Sequence, residues 1–235
     1  MQSLPRKQLL FCAIAWGLLG SGFMIVKNAN TQSLSNQKSQ EPDPVVVAVR
    51  RSGLREAARL KRHYKSTERT TGWMKYDLES LTSASSVIII GTPLVSSSNL
   101  AGSGDRIITE FKIRIDRALK GRFKENQLVT AVVPGGKVTF EDGTSAEITT
   151  PDLGPIKEHQ KYVLFMRQSH EDSEILTLTG GGQGLFELAS SDLYVKPRGD
   201  KKDLVQRHKN QSVSDFIEEI ETAVRKYPEA FPCCN

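Results

Sequence analysis

Histidine, cysteine and catalytic signatures are scarce in this chain of 235 residues. The four histidines, His63, His159, His170 and His208, stand apart in polar segments, with no H-E-x-x-H or other paired arrangement, so no metal site is expected from them. "SHEDSE" (169–174) brings His170 close to Glu171, Asp172 and Glu174. It lacks the defined spacing of a calcium loop and reads as a solvated hairpin turn. There is no G-x-S-x-G elbow, and no Gly-Lys-Ser/Thr follows a glycine-rich stretch. No catalytic residue, cofactor or metal is therefore assigned.

Cysteine is limited to three residues, which excludes a disulfide framework and leaves stability to a packed core. Cys12 lies in an apolar run, and Cys233 and Cys234 are adjacent in "FPCCN". Neighbouring cysteines close on each other only in a strained ring, so in an oxidising compartment this pair is a candidate for an intermolecular disulfide.

Long hydrophobic runs are also missing, with one exception. Gln8 to Val26 is uncharged, follows Arg6 and Lys7, and stops at Lys27. A basic start followed by an apolar stretch marks a signal peptide or signal anchor over 1–27, and 19 residues are just enough to cross a bilayer. No convincing small-x-small cleavage site follows, which favours an uncleaved single-pass anchor over a removed signal. The rest of the chain is expected to be exported, and to be periplasmic or secreted if the signal is cut. Residues 28–44, rich in Ser, Asn, Gln and Pro, read as a disordered linker.

Acids nearly vanish in the next stretch. Between Arg50 and Lys65 stand Arg50, Arg51, Arg55, Arg59, Lys61, Arg62 and Lys65 against the single acid Glu56. That local charge of +6 exceeds the +5 of the whole chain, so the basic character belongs to one segment. Leu54, Ala57, Ala58 and Leu60 recur near helical spacing, and 45–79 is read as a basic, helical segment. It could be a solvated helix, a surface for an anionic protein or lipid headgroups, or a nucleic-acid contact. The last is disfavoured, since no recognition fold is visible and an exported protein seldom meets DNA. Trp73 and Tyr76 in "GWMKYDLES" are expected to cap the core.

From 80 to 198 the pattern turns to period two. In "RIITEFKIRIDRALKG", Ile107, Thr109, Phe111, Ile113 and Ile115 share one face while Arg106, Glu110, Lys112, Arg114 and Asp116 take the other, as in a half-buried antiparallel strand. "SVIIIGTPLV" reads as a buried strand broken by Gly91 and Pro93, and 96–105 as a hairpin loop. Further strands are expected at 127–134, on both sides of an Asp142-Gly143 turn, at 160–168 and 174–179, and in "GLFEL" and "LYVKP". Gly180, Gly181, Gly182 and Gly184 lead into another alternating strand, not a helix. They are therefore structural glycines of a bulge or tight corner, not a phosphate loop. After a charged loop (199–211), an amphipathic helix is expected at 212–227, packed over an edge or open end, with a tail at 228–235.

The succession "RALKG", "VVPGG", "KYVLF" and "GGGQGLFEL" over about 81–190 resembles small exported bacterial proteins of unknown function. Their domain looks like an OB-type barrel reminiscent of netrin-like and metalloproteinase-inhibitor modules. Short strands at close spacing with turn signals point to a mainly β fold, a small barrel or sandwich; with the resemblance, which implies an OB-type barrel, the expectation is a small antiparallel barrel of five to seven strands, and the resemblance brings no catalytic residues. Those inhibitors act through a cysteine at the mature N-terminus, and after Cys12 this chain has none before Cys233. The expected function is a non-catalytic, membrane-tethered interaction module. The alternatives are an inhibitor or accessory factor of a secreted enzyme and an unrecognised hydrolase.

Overall fold

The computed structural model describes residues 43–68, 74–168, 175–189, 194–198 and 202–229. The apolar run, most of the linker, Trp73, the 169–174 turn, Cys233 and Cys234 lie outside them. In chain order the elements are α1 (Pro44–Lys61), β1 (His63–Thr67), α2 (Leu78–Ala84), β2 (Val87–Ala101), β3 (Arg106–Lys120), β4 (Leu128–Pro134), β5 (Gly136–Thr139), β6 (Ser145–Thr149), β7 (Tyr162–Gln168) and β8 (Ile175–Leu178). A 3-10 turn (Gly181–Gly184) then leads to β9 (Leu185–Leu188), β10 (Val195–Pro197), α3 (Lys202–His208) and α4 (Val213–Lys226). The fold is mainly β, with two sheets and a C-terminal helix.

The larger sheet has the order β10-β9-β7-β2-β3-β4-β8, and β8 pairs with β7 as well as β4. Five strands, β2, β3, β4, β8 and β7, thus form a ring in which each is bonded on both sides; β4–β8 is its one parallel contact. Ring closure removes free edges. The interior is filled by Val87, Ile89, Phe111, Ile113, Ile115, Val129, Ala131, Leu164, Met166 and Leu176 among others.

Two sequence textures follow from what lies outside the ring. β3 alternates strictly because its outer face is wet: Ile107, Thr109, Phe111, Ile113 and Ile115 are buried, while Lys112 and Arg114 are exposed. β2 and β7 do not alternate ("VIII", "YVLFM") because both faces are covered. Ile88, Ile90, Val163 and Phe165 point outward into a second core with Phe186, Leu188, Val195, Phe216 and Ile220. α4 therefore lies across the outer face of the sheet, not over an edge or open end, because β2, β7 and β9 present more apolar surface there. Its start is capped by the Ser212 side chain, which accepts a hydrogen bond from the Asp215 amide at 3.1 Å. Tyr76 packs against this second core.

The remaining strands form a sheet ordered β1-β6-β5, with β1 parallel and β5 antiparallel to β6. Leu54 and Ala58 of α1 pack over it with Phe140, Ala146, Ile148 and Ile107.

Several boundaries differ from the sequence reading. The strand at 86–95 is not broken at Gly91 and Pro93; it continues to Ala101 with register shifts near both residues, because the long β3 offers partners along its whole length. Only 102–105 remains as the hairpin turn. The 45–79 segment is not helical throughout: the helix stops at Lys61, and His63–Thr67 is drawn into a strand by β6. The 199–211 span contains a helix, anchored by His208, which is buried between Phe186 and Phe216 with ring centroids at 6.3 and 5.3 Å. Ten strands are formed among the described residues: five close the ring, β9 and β10 extend the same sheet, and β1, β5 and β6 form the smaller one.

Candidate functional site

α1 begins where Asp43 accepts a hydrogen bond from the Val45 amide at 2.9 Å and Pro44 opens the first turn, a pre-organised start. It is interrupted at Gly53, whose φ of 79° and ψ of −175° belong to backbone space that is essentially glycine-only. The β2–β3 hairpin tip approaches here: the Leu54 amide donates to the Gly104 carbonyl at 2.8 Å, and a side chain at 53 would place its Cβ 2.8 Å from that oxygen. The first turn of the second half is thus closed by a carbonyl from the β2–β3 hairpin, which fixes the basic segment to the larger sheet.

The seven basic residues separate into two groups. Arg55 lies over the Phe140 ring, 4.9 Å from its centroid. Arg59 pairs with Glu56 at 3.6 Å and with Asp142, in the β5–β6 turn, at 3.4 Å. Hydrogen bonds from the Thr144 side chain and amide, with Arg59 adding to them, hold the Asp142 carboxyl below the usual carboxylate range. Lys65, on β1, pairs with Glu147 on β6 at 3.0 Å. Arg50, Arg51, Lys61 and Arg62 are exposed and make no ion pair among the described residues. Arg62 ends α1 with a φ of 64°, which turns the chain from helix into strand. Asp142 and Glu147 were invisible as partners in the sequence because each lies more than 80 positions from its cation.

The four structural glycines form a corner between β8 and β9. Gly180 has a φ of 66°, and a Cβ there would meet the Tyr76 ring at 2.9 Å; Gly181, Gly182 and Gly184 make the 3-10 turn. Gln183 ties the corner to the chain before α2 by accepting from the Tyr76 amide and donating to the Met74 carbonyl, at 3.1 and 2.9 Å. Every residue of this corner is buried.

A cleft of about 640 Å³ lies where the ring meets the smaller sheet, floored by Phe111, Val133 and Leu153 and rimmed by Lys137, Glu147 and Thr149. Its size suits a small molecule. Its polar lining is largely committed: Thr109 donates to the Gly135 carbonyl at 2.7 Å, Thr150 to that of Pro134 at 3.3 Å, and Glu147 holds Lys65. No group of three or more His, Cys, Asp or Glu residues that could hold a metal occurs among the described residues.

Lys120 and His208 are among the buried polar residues that the sequence did not reveal. Lys120, at the end of β3, is 5% exposed, and its ammonium donates to the Thr82 carbonyl of α2 at 2.8 Å and the Glu229 carbonyl beyond α4 at 3.5 Å. Burial pushes its pKa below the ordinary lysine value. His208 is 1% exposed; Nδ1 contacts Gln211 Oε1 at 2.7 Å, and Nε2 has no partner among the described residues. Neither faces the basic segment's partners, and both pin helices to the sheet. No helix of the described residues is long and apolar enough to cross a membrane. No protein-family model matches the chain, and no curated protein is significantly similar to it.

Proposed function

We propose that the protein is a non-catalytic, exported interaction module, tethered through residues 8–26, whose basic face holds an anionic partner on an OB-type barrel. The observation that carries this reading is the division of the basic residues: among the described residues Arg50, Arg51, Lys61 and Arg62 stay exposed and without ion pairs, while Arg55, Arg59 and Lys65 are engaged with neighbours. The closed five-strand ring with a single parallel pair supports the OB-type assignment. The committed polar lining of the cleft speaks for binding over turnover.

Capture from a cell-envelope extract tests the reading, using the full chain and an R50Q/R51Q/K61Q/R62Q variant. The wild type is expected to retain proteins or lipids that the variant loses, with retention falling as salt rises above physiological strength, where screening acts within about 8 Å. An identical captured set from both proteins would end the proposal.

A further inference from the structure

We infer that the outer edge of β1 is a docking strand for an extended, acidic polypeptide segment; this deepens, and rests on, the reading of the basic face as an anionic-partner surface. The parity of the β1–β6 ladder carries the inference. The Ser145 amide donates to the Arg62 carbonyl at 3.1 Å, and the Glu68 amide donates to the Thr149 carbonyl at 2.9 Å. In a parallel ladder the residues that bond the partner alternate. Arg62, Tyr64, Ser66 and Glu68 therefore turn their backbone groups toward β6, and His63, Lys65 and Thr67 turn theirs away. No described strand pairs on that side.

The open row offers three amides and three carbonyls at consecutive outward positions, and all three residues are exposed. An unpaired edge of this kind is a template for strand addition. Its surroundings select the incoming chain. Lys61 and Arg62 stand at its head without ion pairs among the described residues, and the Lys65 side chain keeps 73% of its exposure although it contacts Glu147. A segment with carboxylates at alternate positions brings opposite charge to these cations while its backbone completes the ladder. A second copy of β1 would set the same cations against themselves, and like charges directly opposite are destabilising. Lipid headgroups satisfy the cations but leave the directional row of amides and carbonyls unused.

The probe is a fluorescein-labelled hexapeptide of alternating valine and glutamate, titrated onto the full chain and read by anisotropy. K61Q/R62Q/K65Q is expected to weaken binding about tenfold, with a matching loss of salt dependence. T67P keeps every cation and removes one outward amide that bonds nothing in β6. It is expected to weaken binding about fivefold, the loss of roughly one hydrogen bond, with an unchanged unfolding midpoint. The same peptide N-methylated at alternate amides, titrated onto the wild type, should lose a similar factor and requires no change to the protein. If T67P and the N-methylated peptide bind like their parents, edge pairing is refuted while the charged surface stands. If K61Q/R62Q/K65Q binds like the wild type, both readings fall. Preference for phosphatidylglycerol vesicles over the peptide, lost in K61Q/R62Q/K65Q and kept in T67P, would assign the surface to a membrane and overturn the edge.

Discussion

The two sheets treat their edges differently. In the larger one, β8 bonds β4 and β7 and leaves the five ring strands with a neighbour on each side, while α4 and α2 cover the outer face of β2 and β7. In the smaller one, β1 has a neighbour among the described strands only on the β6 side, and its side chains run exposed and half-buried in turn. The difference separates two tasks. A closed ring with cores on both faces of two strands is a rigid support, and it has little backbone left to offer a partner. The three-stranded sheet, held through α1 and the hairpin tip, keeps backbone groups and cations available because it is not closed.

Breaking the supporting half should cost the most. Phe186 sits between Phe165 and Phe216, with ring centroids at 5.6 and 4.7 Å, and is fully buried. Phe186→Ala is expected to destabilise the fold by about 3–5 kcal/mol in denaturant unfolding. Peptide binding should be unchanged under conditions where the variant remains folded; weakened binding by the folded variant would show that the two halves are not separable in this way.

The join between them should come next. Gly53→Ala forces a side chain into a glycine-only conformation and against the Gly104 carbonyl. A loss of about 1–3 kcal/mol is expected, measured by thermal or denaturant unfolding. Because this site ties α1 to the β2–β3 hairpin, peptide affinity should fall as well, unlike in Phe186→Ala. A stable Gly53→Ala variant with full affinity would mean that the β2–β3 hairpin does not position the basic face.

The smallest effect sharpens the comparison through pH. Lys120 bridges α2 and the chain just beyond α4 on the supporting side, and burial lowers its pKa from the ordinary value of 10.5. Between the lowered value and 10.5 the unfolded chain holds a proton that the folded chain has released, so stability conferred by this group rises with pH across that window. Wild type should therefore gain on Lys120→Met as pH climbs toward 10.5, in paired unfolding curves. Affinity for the peptide should not differ between them at any pH in that range. A stability difference that is flat with pH would contradict the assignment.

Much of the ring was legible in the sequence because its signals are local. The alternation in Arg106–Lys120, the Asp142-Gly143 turn and the amphipathic run after Ser212 each report one face of one element. What escaped depends on partners distant in the chain. "HYKST" has one aromatic residue and no apolar periodicity, and it becomes a strand only because β6 lies beside it. The double burial of β2 and β7 hides the face toward α4, so the sequence could not say where that helix would settle. His208 and Lys120 looked like ordinary polar residues, since burial is set by packing and not by neighbours in sequence. For the site, the clustering of the seven cations was plain. Which of them are engaged was not, because Asp142, Glu147 and Phe140 are remote from the residues they hold.

Residue-by-residue amide exchange across β1, with the full chain alone and with the valine–glutamate hexapeptide, tests the central claim most directly. In the free protein the amides of His63, Lys65 and Thr67 should exchange rapidly while those of Tyr64 and Ser66 are protected, and the peptide should slow the odd-numbered set alone. Uniform protection along His63–Thr67 before peptide is added, or peptide protection falling on β3 and β4 instead, would contradict it.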